Sequence, residues 1–283
     1  MALSMKHSQK LQKTGLFLFF LVIAGLAIFP FYCLMLASFK PTTELLRAGL
    51  NVKYQSELMT IINYKFLFSA DGHRYLLWYR NSLVVTLLQT VGALFFASFV
   101  GYGLAIYKFR GRDLLFGLVL FTMMVPIEIL LLPLYKLMIL FKLINTYWGV
   151  LLPFIVPPFA IFFFRQYALG MPKDLLDAAR IDGCTELGSY FRVMLPLMMP
   201  AFGAMAILQA LFSWNNLLWP LIVLRTPEMF TLPMGMASLL TPYGNNYMIL
   251  MSGAVLAVLP LLIIFLLFQK TFIAGLTIGA VKG

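Results

Sequence analysis

Long apolar stretches alternate with short polar segments along the whole chain. A helix that crosses a lipid bilayer needs about 20 consecutive, mostly apolar residues. Six stretches are near or above that length and predict membrane-spanning helices, at residues 15–38, 81–106, 114–137, 147–165, 196–221 and 247–269. The pattern therefore predicts an all-α integral membrane protein with six transmembrane helices.

The composition supports this fold class and removes soluble alternatives. Hydrophobic residues make up 62% of the 283 residues and charged residues only 11%, with a mean hydropathy of +0.92. A soluble domain carries about 25% charged residues, so a globular domain with one anchor is excluded. The net charge of +11 then indicates orientation in the membrane and contact with anionic headgroups, not nucleic-acid binding.

The basic residues predict that both termini are cytoplasmic. With the N-terminus inside, twelve of the 21 Lys and Arg residues fall in inner segments and nine in outer ones. Six of those nine lie in one outer loop, which weakens the positive-inside argument without reversing it. The compact turn Lys108-Phe109-Arg110-Gly111-Arg112 is the clearest cytoplasmic signal. An even number of spans returns the C-terminus to the same side.

The long outer loop, residues 40–80, mixes charges with tyrosine and tryptophan. These residues are Tyr54, Tyr64, Tyr75, Trp78 and Tyr79. Aromatic residues at such a position usually form a belt at the membrane interface. A surface for an external partner is the alternative, and the sequence leaves both open.

Small residues recur every four positions in the second predicted span. Ala93, Ala97, Gly101 and Ala105 form a stripe that lets another helix approach closely. That helix could belong to this chain or to another subunit, and the pattern does not distinguish the two.

Prolines lie in or at the ends of several apolar stretches. They are Pro126, Pro133, Pro153, Pro157, Pro158, Pro220 and Pro260. Proline bends a helix and frees backbone carbonyls, which membrane proteins tolerate where neighbouring helices or a water-filled cavity satisfy them. Many bent helices suit a transporter better than a rigid anchor.

The sequence carries no signature of its own energy source. It has no G-x-x-x-x-G-K-[ST] phosphate loop and no Cys/His pair at metal-ligand spacing. Glu128 is the one acidic residue inside a predicted span, which argues against a pump that works through intramembrane carboxylates. If the protein moves a solute uphill, the energy comes from another polypeptide.

A charged segment, residues 166–195, separates the fourth and fifth predicted spans. Met171-Pro172-Lys173-Asp174 has the features of a helix start. Gly183 suits the left-handed turn that ends a helix, and a second helix is expected from about Thr185 to Leu195-Pro196. From the residues alone, an ordinary amphipathic hairpin at the membrane surface is as good an interpretation as a docking element.

The spacing in this segment resembles the loop motif of ABC importer permeases: E-A-A, three residues, G, nine residues, I-x-L-P. Here it reads Asp177-Ala178-Ala179, three residues, Gly183, nine residues, Val193-Met194-Leu195-Pro196. Asp replaces Glu and Val replaces Ile, and both changes are conservative.

Other segments resemble the carbohydrate-importer branch of the same family, in particular its maltose-permease type, the shorter six-span partner of a permease pair. They are Ser38-Phe39-Lys40, Asn81-Ser82-Leu83, residues 108–111, 126–128 and 132–135, Asn145-Thr146-Tyr147-Trp148-Gly149, Ser213-Trp214-Asn215-Asn216 and the tail 275–283. The resemblance covers nearly the whole chain.

The resemblance implies the type I ABC importer permease architecture and a transport subunit, not an enzyme. Such a permease sits in the bacterial cytoplasmic membrane. It works with a second permease subunit, a dimer of cytoplasmic ATP-binding subunits and an extracytoplasmic solute-binding protein. This chain is expected to bind no cofactor, because ATP and Mg belong to the partner ATPase.

By the same resemblance, residues 166–195 form a coupling loop whose first helix sits in a groove of the ATPase. The expected coupling residues are Asp177, Ala178, Ala179, Gly183, Leu195 and Pro196. Ala178 and Ala179 would fit the groove, Asp177 would make polar contacts and Gly183 would set the turn. Residues 279–283 are also expected to reach toward the ATPase.

The chain is expected to divide into three parts. Residues 1–76 hold the N-terminal tail, the first span and the external loop. Residues 77–270 form a five-helix permease core with the coupling loop, and residues 271–283 form a cytoplasmic tail.

Four residues are candidates for the substrate pathway: Glu128, Trp214, Asn215 and Asn216. An ionisable residue inside a span is a functional candidate by default, and amides beside aromatic rings suit a sugar. Each candidate has a structural alternative, since Glu128 follows a proline break and the other three fit a helix end.

Import of a mono- or oligosaccharide is the predicted function. A non-sugar solute such as glycerol phosphate is the alternative within the family. A self-contained secondary carrier predicts intramembrane charges or an internal repeat, and neither is evident. A purely structural membrane scaffold leaves the loop spacing unexplained.

Overall fold

The computed structural model describes residues 2–49, 52–69, 73–172, 174–241 and 244–277, and most of them are helical. The α-helices are α1 Ala2–Ser38, α2 Thr42–Ala48, α3 Ile62–Leu67, α4 His73–Ile106, α5 Arg112–Met124, α6 Ile127–Leu140, α7 Tyr147–Leu151, α8 Pro158–Leu169, α9 Asp174–Ile181, α10 Glu186–Ser189, α11 Leu195–Leu197, α12 Met199–Trp214, α13 Leu218–Val223, α14 Leu232–Ser238 and α15 Tyr247–Thr277. Short 3-10 turns cover Ser56–Leu58, Leu152–Phe154 and Pro227–Met229, and a π-helix covers Tyr190–Met194. Two antiparallel two-residue strands, β1 Leu240–Thr241 and β2 Gly244–Asn245, precede α15. The all-α fold class is confirmed.

Three of the described helices are long and apolar enough to cross a bilayer without a break. Their spanning parts are Gln12–Ser38 of α1, Arg74–Ile106 of α4 and Tyr247–Thr271 of α15. They correspond to the first, second and sixth predicted spans. The bounds of two need correction, because α4 begins at His73 instead of residue 81 and α15 runs to Thr277 instead of 269.

The third, fourth and fifth predicted spans are bent pairs of helices in the described chain. The bend is 104° between α5 and α6, 43° between the α7 segment Tyr147–Phe154 and α8, and 76° between Glu186–Leu197 and α12. By length and composition the described residues therefore allow three crossings, or up to six if each bent pair is one crossing. The number six stays a prediction.

Proline accounts for two of these breaks. The residue before a proline is pushed out of the helical region by contact with the proline ring. Val125, before Pro126, is extended with φ −85° and ψ 117°, and Pro157, before Pro158, is extended with φ −73° and ψ 127°. The predicted bending at these prolines is confirmed. The predicted stretch 196–221 is also interrupted, because α12 ends at Trp214 and α13 begins at Leu218.

The described residues fall into two compact units: one contains those up to His73 and those within Leu239–Leu256, and the other contains those within Arg74–Ser238 and those from Ala257 to Thr277. In the first unit, the outer loop closes over the end of α1. Asn63 Nδ2 donates to the carbonyls of Ser38 and Lys40 at 2.8 and 2.9 Å, and the hydroxyls of Ser38 and Tyr64 lie 2.8 Å apart. Ser38-Phe39-Lys40 therefore forms a structural junction.

In the second unit, the small-residue stripe of α4 packs against α8. Ala93 and Ala97 are fully buried. A Cβ atom added at Gly101 would lie 2.9 Å from the backbone atoms Arg165 N and Ile161 O. The sequence did not show whether the helix that packs on this stripe belongs to this chain or to another subunit. At Gly101 it is α8 of this chain.

Hydrogen bonds from Asn81 and Trp78 hold the N-terminal part of α4 against a later loop in the same unit. Asn81 Nδ2 donates to the carbonyls of Glu228 and Phe230 at 2.7 and 3.0 Å, and Asn81 Oδ1 accepts from the Tyr147 hydroxyl at 2.7 Å. Trp78 Nε1 donates to Pro227 O at 2.8 Å. Trp78 is buried in these contacts, so a place in a membrane-interface belt is wrong for this residue.

Candidate functional site

The charged loop folds as two short helices joined by a glycine turn, as the sequence predicts. The first, α9, begins at Asp174 and carries Asp174 and Asp177 in its first turn, next to the positive end of the helix dipole. The sequence placed Pro172 in the first turn of this helix, but Pro172 is not helical. Lys173, between Pro172 and the start of α9, lies outside the described residues.

A Schellman motif ends α9. The Gly183 N–H donates to Arg180 O at 3.0 Å, and the Cys184 N–H donates to Ala179 O at 2.9 Å. Gly183 has φ +79°, a left-handed conformation that costs a residue with a Cβ about 1–2 kcal/mol. The predicted role of Gly183 in the turn geometry is confirmed.

The second helical segment is capped by Thr185 and runs into α12. Thr185 Oγ1 accepts from the Gly188 N–H at 3.1 Å, which satisfies one of the free donors at the start of α10. The π-helix Tyr190–Met194 and α11 follow without interruption. The segment Glu186–Leu197 meets α12 at an angle of 76° and carries the charged residues Glu186 and Arg192.

An ionic network ties the two helices together and joins them to the end of α4. Arg180 donates through Nε and Nη2 to the two carboxylate oxygens of Glu186, at 3.1 and 3.2 Å, and through Nη1 to Asp177 Oδ1 at 3.3 Å. The Tyr107 hydroxyl donates to Glu186 Oε2 at 2.6 Å. Tyr107 follows α4 directly, so the network connects the loop to a predicted membrane span.

The pKa values of Glu186, Tyr107 and Arg180 are shifted in this network. The hydrogen bond from Arg180, followed by that from Tyr107, lowers the pKa of Glu186. Burial, and next the bond to Glu186, raises the pKa of Tyr107. The bond to Glu186 raises the pKa of Arg180. Both partners of the Arg180–Glu186 pair are therefore charged at neutral pH.

A second, buried attachment holds the loop to α4. The hydroxyls of Ser98 and Tyr190 lie 2.7 Å apart, and the Tyr190 ring packs on Tyr102 at a centroid distance of 5.2 Å. Leu176 and Met194 join the same core cluster. The inner face of the loop is thus part of the core of its unit.

The predicted coupling residues are split between two faces. The Asp177 side chain is 63% exposed and Ala178 is exposed, whereas Ala179 is only 7% exposed and packs inward. Leu195 packs against the core cluster and Pro196 is exposed. The position of Ala179 does not match the expectation that it enters a partner's groove.

Two exposed apolar residues of α9 were missed by the sequence analysis. Ile181 is 86% exposed and Leu175 is 42% exposed, and both share the outward face with Ala178. Their spacing of three residues around Ala178 was the available signal. Beside the glycine turn lies a pocket with a volume of about 440 Å³. It is lined by Asp182, Gly183, Cys184, Thr185, Leu187, Gly188, Phe191 and Arg192.

The substrate-pathway candidates are not brought together in one polar cluster by the contacts of the described residues. Trp214 is buried, and its Nε1 donates to Ala257 O at 3.1 Å. Asn215 Nδ2 donates to Leu211 O at 3.0 Å, and Asn216 Oδ1 accepts from the Trp219 N–H at 3.4 Å. Trp214 ends α12, and Asn215 and Asn216 lie between α12 and α13, which favours the structural alternative for all three. Glu128 is exposed in the first turn of α6.

The chain is similar to known transport proteins over nearly its full length. The family model described as "Binding-protein-dependent transport system inner membrane component" matches residues 82–277. The arabinooligosaccharides transport system permease protein AraQ of Bacillus subtilis is 59% identical over 281 residues, covering 99% of this chain and all of the relative. AraQ of Halalkalibacterium halodurans is 56% identical, covering 93% of this chain and 94% of the relative.

A solved structure shares the fold. A chain from the crystal structure of a bacterial ABC transporter involved in the import of the acidic polysaccharide alginate superposes with a TM-score of 0.76 at 20% identity. The match covers 93% of this chain and 97% of that one.

Proposed function

Since the chain belongs to the family of binding-protein-dependent transport system inner membrane components, which are permease subunits of ABC importers, we propose that it imports arabinooligosaccharides. The observation that supports this choice of substrate is the 59% identity with the arabinooligosaccharide permease of Bacillus subtilis, which extends over the full length of that relative. Members of this family are transport components, not enzymes.

The proposed assembly contains this permease, a second permease, two cytoplasmic ATP-binding subunits that hold ATP and Mg, and an extracytoplasmic solute-binding protein. The outward face of α9 docks on the ATPase. Asp177, Ala178 and the exposed Leu175 and Ile181 form this face, and Gly183 ends it. Exposed apolar side chains on a charged loop support this proposal, because burying them against a partner removes them from water.

The proposed topology has six crossings with both termini cytoplasmic, in the bacterial cytoplasmic membrane. The Tyr107–Glu186 hydrogen bond supports a placement of the basic turn at residues 108–112 and the coupling loop on the same side of the membrane. The predicted contribution of residues 279–283 to the ATPase interface lies wholly outside the described residues, which end at Thr277.

Reconstitution tests the proposed function. The complex in proteoliposomes, with the solute-binding protein outside and ATP inside, is expected to take up an arabinooligosaccharide only when ATP is present. Uptake that persists without ATP and stops when ion gradients are removed would support a secondary carrier instead. Competition by glycerol 3-phosphate but not by sugar would reassign the substrate to the non-sugar alternative.

Glu128 is retained as the substrate-pathway candidate because its carboxylate is exposed and lies beside the 104° bend. Glu128→Gln is expected to raise the apparent KM for the sugar, since a carboxylate accepts hydrogen bonds from sugar hydroxyls. Asn215→Ala serves as the control and is expected to leave the KM unchanged, because its amide caps α12. An unchanged KM in Glu128→Gln removes Glu128 from the substrate pathway.

A further inference from the structure

A continuous line of side-chain contacts joins the end of α4 to the exposed face of α9. The backbone N–H of Tyr107 donates to Gly103 O at 3.2 Å, so Tyr107 continues the last turn of α4. From there the line runs through the Tyr107 hydroxyl to Glu186, through the Arg180 fork, and ends at Asp177 Oδ1. Each step is a direct hydrogen bond.

We propose that Tyr107, Glu186 and Arg180 are positioning residues for Asp177, and that they fix its carboxylate relative to α4. The proposal rests on the coupling function proposed above. In this arrangement, a movement of the ATPase against Asp177 reaches α4 directly through the line, in addition to passing through the packing of the loop.

The geometry of these hydrogen bonds is better suited to fixing the position of the Asp177 carboxylate than to stabilising the fold. Ion pairs between exposed side chains add little to the stability of a fold. Arg180 is held in one orientation, however, because its planar guanidinium binds both oxygens of Glu186 and keeps one nitrogen for Asp177. Glu186 is in turn held by the Tyr107 ring at the end of α4. Without these contacts, the Asp177 side chain is free to change rotamer on an exposed helix.

The buried Ser98–Tyr190 bond makes the proposal testable without unfolding the loop. Because that bond and the core cluster hold the inner face of the loop, removal of the Tyr107 hydroxyl leaves the loop folded. Tyr107→Phe therefore isolates the positioning effect, and Tyr190→Phe is a matched control that removes a hydroxyl from the other attachment.

The measurement is the number of arabinooligosaccharide molecules imported per ATP hydrolysed by the complex in proteoliposomes. Tyr107→Phe is expected to lower this ratio about two- to fivefold, the range of an exposed charged contact. Asp177→Asn is expected to lower it as well. Tyr107→Phe added to Asp177→Asn is expected to cause no further decrease, because the positioned carboxylate is already absent. Tyr190→Phe is expected to lower thermal stability and to leave the ratio unchanged.

Three results would overturn the proposal: an unchanged ratio in Tyr107→Phe, an equal decrease in Tyr190→Phe, or a full additional decrease in the double variant. Each would show that the Tyr107 hydroxyl does not act on coupling through Asp177. A wild-type complex that hydrolyses no ATP during uptake contradicts the proposed function itself and removes this proposal with it.

Discussion

Three consecutive residues of the loop motif, Asp177, Ala178 and Ala179, have different surroundings in the folded chain. Ala179 packs inward with Leu176, three residues earlier, because residues at that spacing share one face of a helix. Ala178 faces outward with Ile181, and Asp177 binds Arg180. The two alanines of the motif therefore differ in burial: Ala179 lies in the core of the unit and Ala178 lies on its surface.

Gly183 is the residue whose backbone conformation sets the shape of the loop. Gly183→Ala is expected to destabilise the complex by about 1–2 kcal/mol, because φ +79° is unfavourable with a Cβ and no atom obstructs the added methyl group. Thermal unfolding of the purified complex measures the loss. Gly117→Ala is the matched control, since Gly117 also has open space around it but lies inside α5. Equal effects of the two substitutions would show that conformation at Gly183 is unimportant.

At the scale of elements, close helix packing and helix breaks have separate causes. The breaks before α6 and α8 come from prolines, which act on the residue next to them. The approach of α4 to α8 depends on the absence of a side chain at Gly101, and it is seen only when the two helices are placed together.

Two glycines on α4 separate the packing effect from the effect of glycine in a helix. Gly101→Ala is expected to destabilise the complex by about 1–3 kcal/mol, because its Cβ would meet the α8 backbone. Gly103→Ala is expected to be neutral or stabilising by up to about 1 kcal/mol, since nothing lies near its Cβ and alanine favours helix. Thermal unfolding of the two variants side by side checks this. A stable Gly101→Ala variant would contradict the close contact.

At the scale of the whole molecule, α4 carries contacts of different kinds at its two ends. Asn81 and Tyr107 are 26 positions apart, which corresponds to about 39 Å along a helix. A bilayer with its headgroups is about 40–45 Å thick. This length agrees with the proposed topology, in which the Asn81 contacts and the charged loop lie on opposite sides of the membrane.

Cysteine labelling tests this topology. In a chain whose Cys33 and Cys184 are replaced, Glu228→Cys is expected to react with a membrane-impermeant maleimide in intact cells. Arg110→Cys is expected to react only after the membrane is opened, because it follows the end of α4 that is proposed to be cytoplasmic. Both side chains are exposed, so access decides the result. The reverse pattern would invert the orientation, and labelling of both in intact cells would contradict a membrane crossing by α4.

The sequence by itself determined the all-helical membrane character, the breaks at Pro126 and Pro158, and the two helices of the loop with their turn at Gly183. These features depend on apolar length, on proline sterics and on the conformational freedom of glycine, all of which act between neighbours in the chain. Only the tertiary structure decided that Ala179 is buried, that Trp214 donates a hydrogen bond to Ala257 of α15, and that Tyr107 donates one to Glu186. Those outcomes depend on how helices far apart in sequence pack, and a single sequence contains no local signal for that packing.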